Sequence, residues 1–145
     1  MEETLIILKP DCIERNLTEV CIKRLLKIGN IKKMKTCEVK SKQILEHYSE
    51  NLKVVDQDIK NRVLDYFVNK TVIVIVLDGE NIIKNVRNEI GTSDPSESPL
   101  GTIRRDYCND SYKIAEIEQR SCRNIIHASD SVHSYEKEFR VWFKE

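Results

Sequence analysis

Two short apolar runs dominate the hydrophobic pattern, one in TLIIL at Thr4–Leu8 and one in TVIVIVLDG at Thr71–Gly79. Each is short, rich in β-branched or aliphatic residues and bounded by breakers, Lys9-Pro10-Asp11 after the first and Lys70 and Asp78-Gly79 around the second. Both therefore predict buried strands. Elsewhere the period lengthens to that of a helix. Leu17, Val20, Cys21, Ile22, Leu25 and Ile28 form one stripe, with Thr18 as a candidate N-cap and Gly29 as a stop. Ile31–Lys40 alternates weakly and predicts a polar, half-exposed strand. Ser41 can cap a short helix through about Asn51. Asp56 can cap another through Phe67, with Ile59, Val63, Leu64 and Phe67 on one face. ENIIKNVRNEIG sets Ile82, Ile83, Val86 and Ile90 on a core-facing helix closed by Gly91. The terminal SVHSYEKEFRVWFKE reads as a short helix running into a last strand, Phe139–Phe143.

Between these patterned segments, residues 92–123 hold two prolines, a glycine and many small polar residues, and form an extended loop whose part Tyr112–Cys122 has no clear period. A loop of that length in a compact domain is usually functional or mobile. The order of strands and helices predicts an α+β or α/β sandwich, with helices over one sheet, and the 145 residues predict a single domain, 1–145. Lysine plus arginine equals aspartate plus glutamate, 24 against 24, so nothing in the composition favours a general polyanion binder, and nucleic acid is an unlikely partner. The start, MEETLIILKPD, is acidic where a secretory leader would be basic, and the apolar runs are too short to span a bilayer, so a soluble, cytoplasmic protein without a membrane partner is expected. The five cysteines include no CxxC pair and read as reduced thiols. Cys108, Cys122 and His127 match no common zinc spacing and lack a fourth ligand, so no metal-ligating side chains are assigned.

The most suggestive chemistry lies in NIIHASDS at 124–131. A lone histidine is commonly a satisfied core or surface residue. His127, however, precedes Ser129, Asp130 and Ser131, which favour a helix start, and Glu138 follows one short helix later. A helix N-terminus attracts phosphate, and a carboxylate can hold one ring nitrogen protonated while the other acts as a nucleophile. Lys9 at the end of the first strand, Arg87 on the helix before the long loop and Arg104 in GTIRRD are each ordinary surface charges alone. Around His127 they would form a cage for a polyphosphate. Neither GxxxxGK[ST] nor GxGxxG occurs, so side chains would have to hold any nucleotide.

TLIILKPD, GTIRRD and NIIHASDS, followed by EKE and WF, resemble nucleoside diphosphate kinases, in the same order and from Thr4 to Phe143. The resemblance implies a ferredoxin-like βαββαβ fold, a four-stranded antiparallel sheet covered by helices. It implies reversible γ-phosphate transfer from a nucleoside triphosphate to a diphosphate, by a ping-pong route through a phosphohistidine, with Mg²⁺ carried on the nucleotide phosphates. It implies His127 as nucleophile, Glu138 and Ser129 as its orienting partners, and Lys9 and Tyr48 beside the transferred phosphate. Arg87, Ser93 and Arg104 would hold the phosphates, and Asn124 the ribose. The base would sit in a shallow slot near Ile59 and Val63.

Several positions depart from the family pattern. Ser93 stands where threonine is usual, Arg105 where glycine is usual, and Ile59 where an aromatic platform is usual, in a segment about three residues longer than the norm. The stretch between Tyr107 and Asn124 is roughly ten residues longer, in a loop that builds trimer contacts in hexameric relatives. The sequence also ends without the C-terminal extension that many members use at that interface. A homo-oligomer, at least a dimer through the sheet edge and first helix with a hexamer possible, is the resulting expectation. The alternative to an active enzyme is a regulatory or interaction module with weak turnover. His47 and His133 are expected to be exposed bystanders.

Overall fold

The computed structural model describes residues 1–52 and 55–143. Its sheet has four strands, β1 (Glu2–Leu8), β2 (Asn30–Glu38), β3 (Thr71–Gly79) and β4 (Ile126–Ala128), in the order β2-β3-β1-β4 with every neighbouring pair antiparallel. This is the ferredoxin-like arrangement. The two apolar runs form its centre, with Leu5 opposite Val76 and Ile7 opposite Val74. Alternate residues of β1 feed different cores. Ile6 and Leu8 pack with Cys21, Leu25, Ile82 and Val86 on one face, whereas Leu5 and Ile7 pack with Ile44, Phe67 and Trp142 on the other. Helices cover both faces, which is why these strands are apolar at every position instead of alternating.

The helices of the first face are α1 (Pro10–Glu14), α2 (Thr18–Leu26) and α6 (Ile82–Ile90), and those of the second are α3 (Ser41–His47), α5 (Gln57–Phe67) and α9 (Val132–Phe143), with α4 (Ser49–Leu52) packed beside α3. The helix expected from Ser41 to Asn51 is thus broken at Tyr48 into two pieces. Asp56 caps α5 through a 3.0 Å bond from the Ile59 amide, as its sequence position predicts. The long loop is partly structured, with a 3₁₀ turn at Pro95–Glu97, α7 (Ile103–Tyr107) and, in the segment without periodicity, α8 (Tyr112–Ile117).

The C-terminal expectation was wrong. Phe139–Phe143 is the end of helix α9, and the fourth strand is Ile126–Ala128, which carries the histidine itself. The aromatic density of FRVWF favours a strand by propensity. Glu138 and Trp142, both buried and four residues apart, show the helical spacing that prevails. Burying Trp142 against β1 also outweighs the weak local preference.

Candidate active site

β4 is short because its work is placement. Pairing of Ile7 with His127 and Leu8 with Ile126 sets the imidazole at the end of the sheet beside the C-terminus of β1, where Lys9 follows. The chain enters β4 through Ile125, whose φ of 59° is the left-handed region that a β-branched residue avoids. Buried Asp11, at the start of α1, holds it there. Its Oδ2 accepts the Ile125 amide at 3.1 Å, while Oδ1 accepts the Tyr66 hydroxyl. The Ile125 carbonyl in turn accepts the Lys9 amide at 2.8 Å. The KPD that looked like a mere strand stop therefore braces the strand that carries His127.

His127 Nε2 lies 3.0 Å from Glu138 Oε1, and the Ser129 hydroxyl donates to the same oxygen at 2.7 Å while accepting the Leu5 amide at 3.1 Å. Glu138 thus receives two donors, fixing the proton of His127 on Nε2 and leaving the Nδ1 lone pair for chemistry. Among the described residues Nδ1 has no hydrogen-bond partner. Burial, and then the charges of Lys9, Arg104 and Arg87, pull the His127 pKa down to about 3, so the ring is neutral near pH 7 with a wide margin. Burial pushes the Glu138 carboxyl above its ordinary range, opposed by His47 and by the Ser129 hydrogen bond.

His127 opens into a cleft of about 400 Å³ that also takes in Lys9, Tyr48, Val63, Arg87, Ser93, Arg104 and Asn124. Lys9 donates to Asn124 Oδ1 at 2.7 Å, and Asn124 donates to the Ser93 carbonyl at 2.9 Å. Burial and the neighbouring Arg104 lower the Lys9 pKa to about 7. Buried Arg104 bonds three carbonyls, those of Gly91, Asn124 and Ile126, and keeps two N–H bonds for a further acceptor. Gly91, at φ 100°, closes α6 here, and a β-carbon on it would meet Ser98 Oγ at 2.8 Å. Arg87 bonds the Ala128 carbonyl at 3.2 Å and is exposed toward the cleft. Tyr48 has its ring 6.5 Å from that of His127. Every residue assigned from sequence converges on this cleft except Ile59, which does not line it, and Ser129, which acts behind the ring through Glu138.

His47 needs correction. It is only 5% exposed, its ring stands edge-on to His127 at 4.5 Å, and its Nδ1 accepts the Trp142 indole N–H at 3.0 Å. Its cue was legible: Ile44 and His47 lie one turn apart, so both face the core of α3. His133 is exposed, as expected. Cys108 does not join the histidine; the only cluster of potential metal ligands among the described residues is His47, His127 and Glu138. Two imidazoles and one engaged carboxylate do not suit Mg²⁺, which prefers oxygen donors.

The family model described as Nucleoside diphosphate kinase matches residues 2–145. A nucleoside diphosphate kinase of Picrophilus torridus is 37% identical over 147 residues, covering all of this chain and 96% of that protein, and one of Helianthus annuus is 34% identical over 146 residues, covering all of this chain and 90% of that protein. Among solved structures, a transition-state mimic of a nucleoside-diphosphate kinase from Borrelia burgdorferi with bound vanadate and ADP superposes with a TM-score of 0.93 at 27% identity, covering 99% of this chain and 88% of that one. An NDP kinase from Pyrobaculum aerophilum gives 0.87 at 31%, covering 99% and 96%.

Proposed function

The chain belongs to the nucleoside diphosphate kinase family and transfers phosphate between nucleotides, and from that premise we propose that it moves the γ-phosphate through a phosphohistidine formed at Nδ1 of His127. The observation that carries this reading is the 3.0 Å contact of His127 Nε2 with Glu138, which turns the opposite nitrogen toward the cationic cleft.

In the first half-reaction Nδ1 attacks the γ-phosphorus of a triphosphate. The N–P bond forms as the bond to the bridging oxygen breaks, and the diphosphate leaves with that electron pair. In the second, a different diphosphate attacks the same phosphorus and the imidazole departs neutral. No base has to remove a proton from the nucleophile, because the ring is already uncharged. Lys9, Arg87 and Arg104 compensate charge as it shifts between the oxygens. Glu138 balances the partial positive charge that the ring acquires on phosphorylation, and Ser129 keeps that carboxylate in place. Asn124 and Ser93 contact ribose and phosphate, and Tyr48 fixes the approach to the ring. The substrate is the magnesium nucleotide: its own phosphate oxygens carry the ion, and the mainly nitrogen-bearing donor set around His127 is consistent with that. Residues 1–145 act as one such domain.

The cytoplasm is the proposed location, in keeping with the lack, among the described residues, of a helix long and apolar enough to cross a membrane. The regulatory reading is not favoured, since nucleophile, carboxylate, lysine and both arginines share one cleft. Incubation with γ-labelled ATP tests the proposal. The protein should take up an acid-labile, base-stable label that a nucleoside diphosphate discharges, and His127→Ala should take up none while still binding nucleotide. Labelling of His127→Ala equal to that of the parent would refute it.

A further inference from the structure

A nucleotide whose phosphates lie among Lys9, Arg87 and Arg104 must place its base toward the mouth of the cleft, and a base gains most there from an exposed aromatic face. Four tyrosine or phenylalanine rings line the cleft. Tyr66 and Phe67 are 9% and 3% exposed, and the Lys9 ammonium lies 5.7 and 5.8 Å from their centroids. Tyr48 packs edge-on against His47 at 4.6 Å and beside His127. Among the described residues that leaves Tyr112, whose surface is 52% exposed. It belongs to the extra residues between Tyr107 and Asn124. We propose that Tyr112, carried into the cleft by this insertion, is the base-stacking residue of this enzyme and the main determinant of its nucleotide affinity.

The insertion holds the backbone of Tyr112 in a fixed place. Asp110 and Arg120 close it with two bonds, Nη1 to Oδ2 at 2.6 Å and Nη2 to Oδ1 at 3.0 Å, and Asp110 also accepts the Arg123 amide at 2.7 Å. Ser111 caps α8 by accepting the Ile114 amide, and the Tyr112 amide donates to Asp94 Oδ2 at 3.3 Å, which ties the ring's own backbone to the loop before the phosphate site. Arg62 of α5 bonds Glu116 of α8 at 2.9 Å, so the wall that carries Val63 and the wall that carries Tyr112 are joined across the mouth. A ring carried on a restrained backbone needs little rearrangement of the chain when a base stacks on it. The tyrosine also explains how Ile59 can stand where relatives have an aromatic platform: the ring arrives from a different element. Stacking reads area rather than hydrogen-bonding edges, so purines should gain more from Tyr112 than pyrimidines.

The inference rests on the phosphotransferase reading of the cleft. Its test is the binding of ADP, CDP and ribose 5-diphosphate, each with Mg²⁺, to the parent protein, Tyr112→Ala and Tyr112→Phe. Tyr112→Ala should weaken ADP about tenfold and CDP less, leave ribose 5-diphosphate within about twofold of the parent, and Tyr112→Phe should bind like the parent. Equal weakening of ADP and ribose 5-diphosphate, or undiminished ADP binding by a folded Tyr112→Ala, would overturn it. Labelling of the parent by γ-labelled ATP, run alongside, separates the two failures: a labelled parent with unaltered ADP binding in the variant rejects only Tyr112, whereas an unlabelled parent rejects the phosphotransfer reading.

Discussion

Position 47 illustrates how strongly surroundings redefine a side chain. Burial above all, then the approach of His127, keeps the His47 pKa well below that of a free imidazole, and Trp142 fixes its tautomer by donating to Nδ1. A neutral, edge-on ring at 4.5 Å restrains the tilt of the His127 imidazole. His47→Ala is therefore expected to slow transfer by about tenfold or more with the nucleotide KM little changed, because near-attack geometry is lost while the phosphate cage remains. An unaltered turnover rate would show that the packing is incidental. Asp11 makes a comparable case in the backbone. Asp11→Ala leaves the Tyr66 hydroxyl and the Ile125 amide without their acceptor and removes the clamp on a strained residue. The expected cost is about 2–4 kcal/mol, read from the urea midpoint, and a loss below about 0.5 kcal/mol would refute the clamp. The two buried imidazoles also set a pH trend. Both have folded pKa values below the unfolded value of about 6.5, so the unfolded chain takes up protons first and stability falls as pH drops below about 6.5, for His127 down to about 3. Lys9 acts above neutrality. With a pKa of about 7 it is largely uncharged near pH 8, and a polyphosphate beside it raises that value. Nucleotide binding at about pH 8 should thus take up protons, measurable by calorimetry in buffers of different ionisation enthalpy. Proton release would contradict the placement of Lys9 beside phosphate.

At the scale of elements, legibility followed length and period. β1 and β3 are apolar on both faces and were evident from residues alone, as was α6 with its stripe of Ile82, Ile83, Val86 and Ile90. β4 has three residues, too few to display any period, and the aromatic run after it drew the strand assignment into α9. Only packing resolves that choice: Trp142, 1% exposed, reaches the core from a helix. α8 was illegible because Lys113 and Glu116 dilute its apolar positions, and its order comes from ties to distant residues, Asp94 and Arg62. The Asp110–Arg120 clasp closes the segment that carries α8. Arg120, then the amides of Arg123 and Ser111, overcome the cost of burial and hold the Asp110 carboxyl down at about 2. Arg120→Ala should lower stability by about 1–3 kcal/mol and weaken purine nucleotides, since the backbone that carries Tyr112 loses its support. A variant with unchanged melting and unchanged ADP affinity would show that the clasp restrains nothing of consequence.

For the whole molecule, residues alone gave a sheet covered by helices, and the resemblance of three separated motifs gave its topology and the reaction. Burial patterns could not have supplied either, because NIIHASDS acquires meaning only when Glu138, Lys9 and Arg104 meet around it in space. Assembly is a separate question of surface. The edge strand β2 exposes Met34 and the end of α2 exposes Leu26, at 53% and 51%, apolar surface that the dimer expected from the sequence would cover. Sedimentation should find a dimer or a larger assembly built from dimers, and a monomer at micromolar concentration would refute that. Glu138 holds Nε2, so Nδ1 is the proposed carrier of the phosphoryl group. Nuclear magnetic resonance of the ¹⁵N-histidine-labelled phosphoenzyme assigns the attached nitrogen directly. The geometry predicts a phosphorus coupled to Nδ1 of His127, and a phosphoryl group on Nε2, or on another residue, would contradict the account.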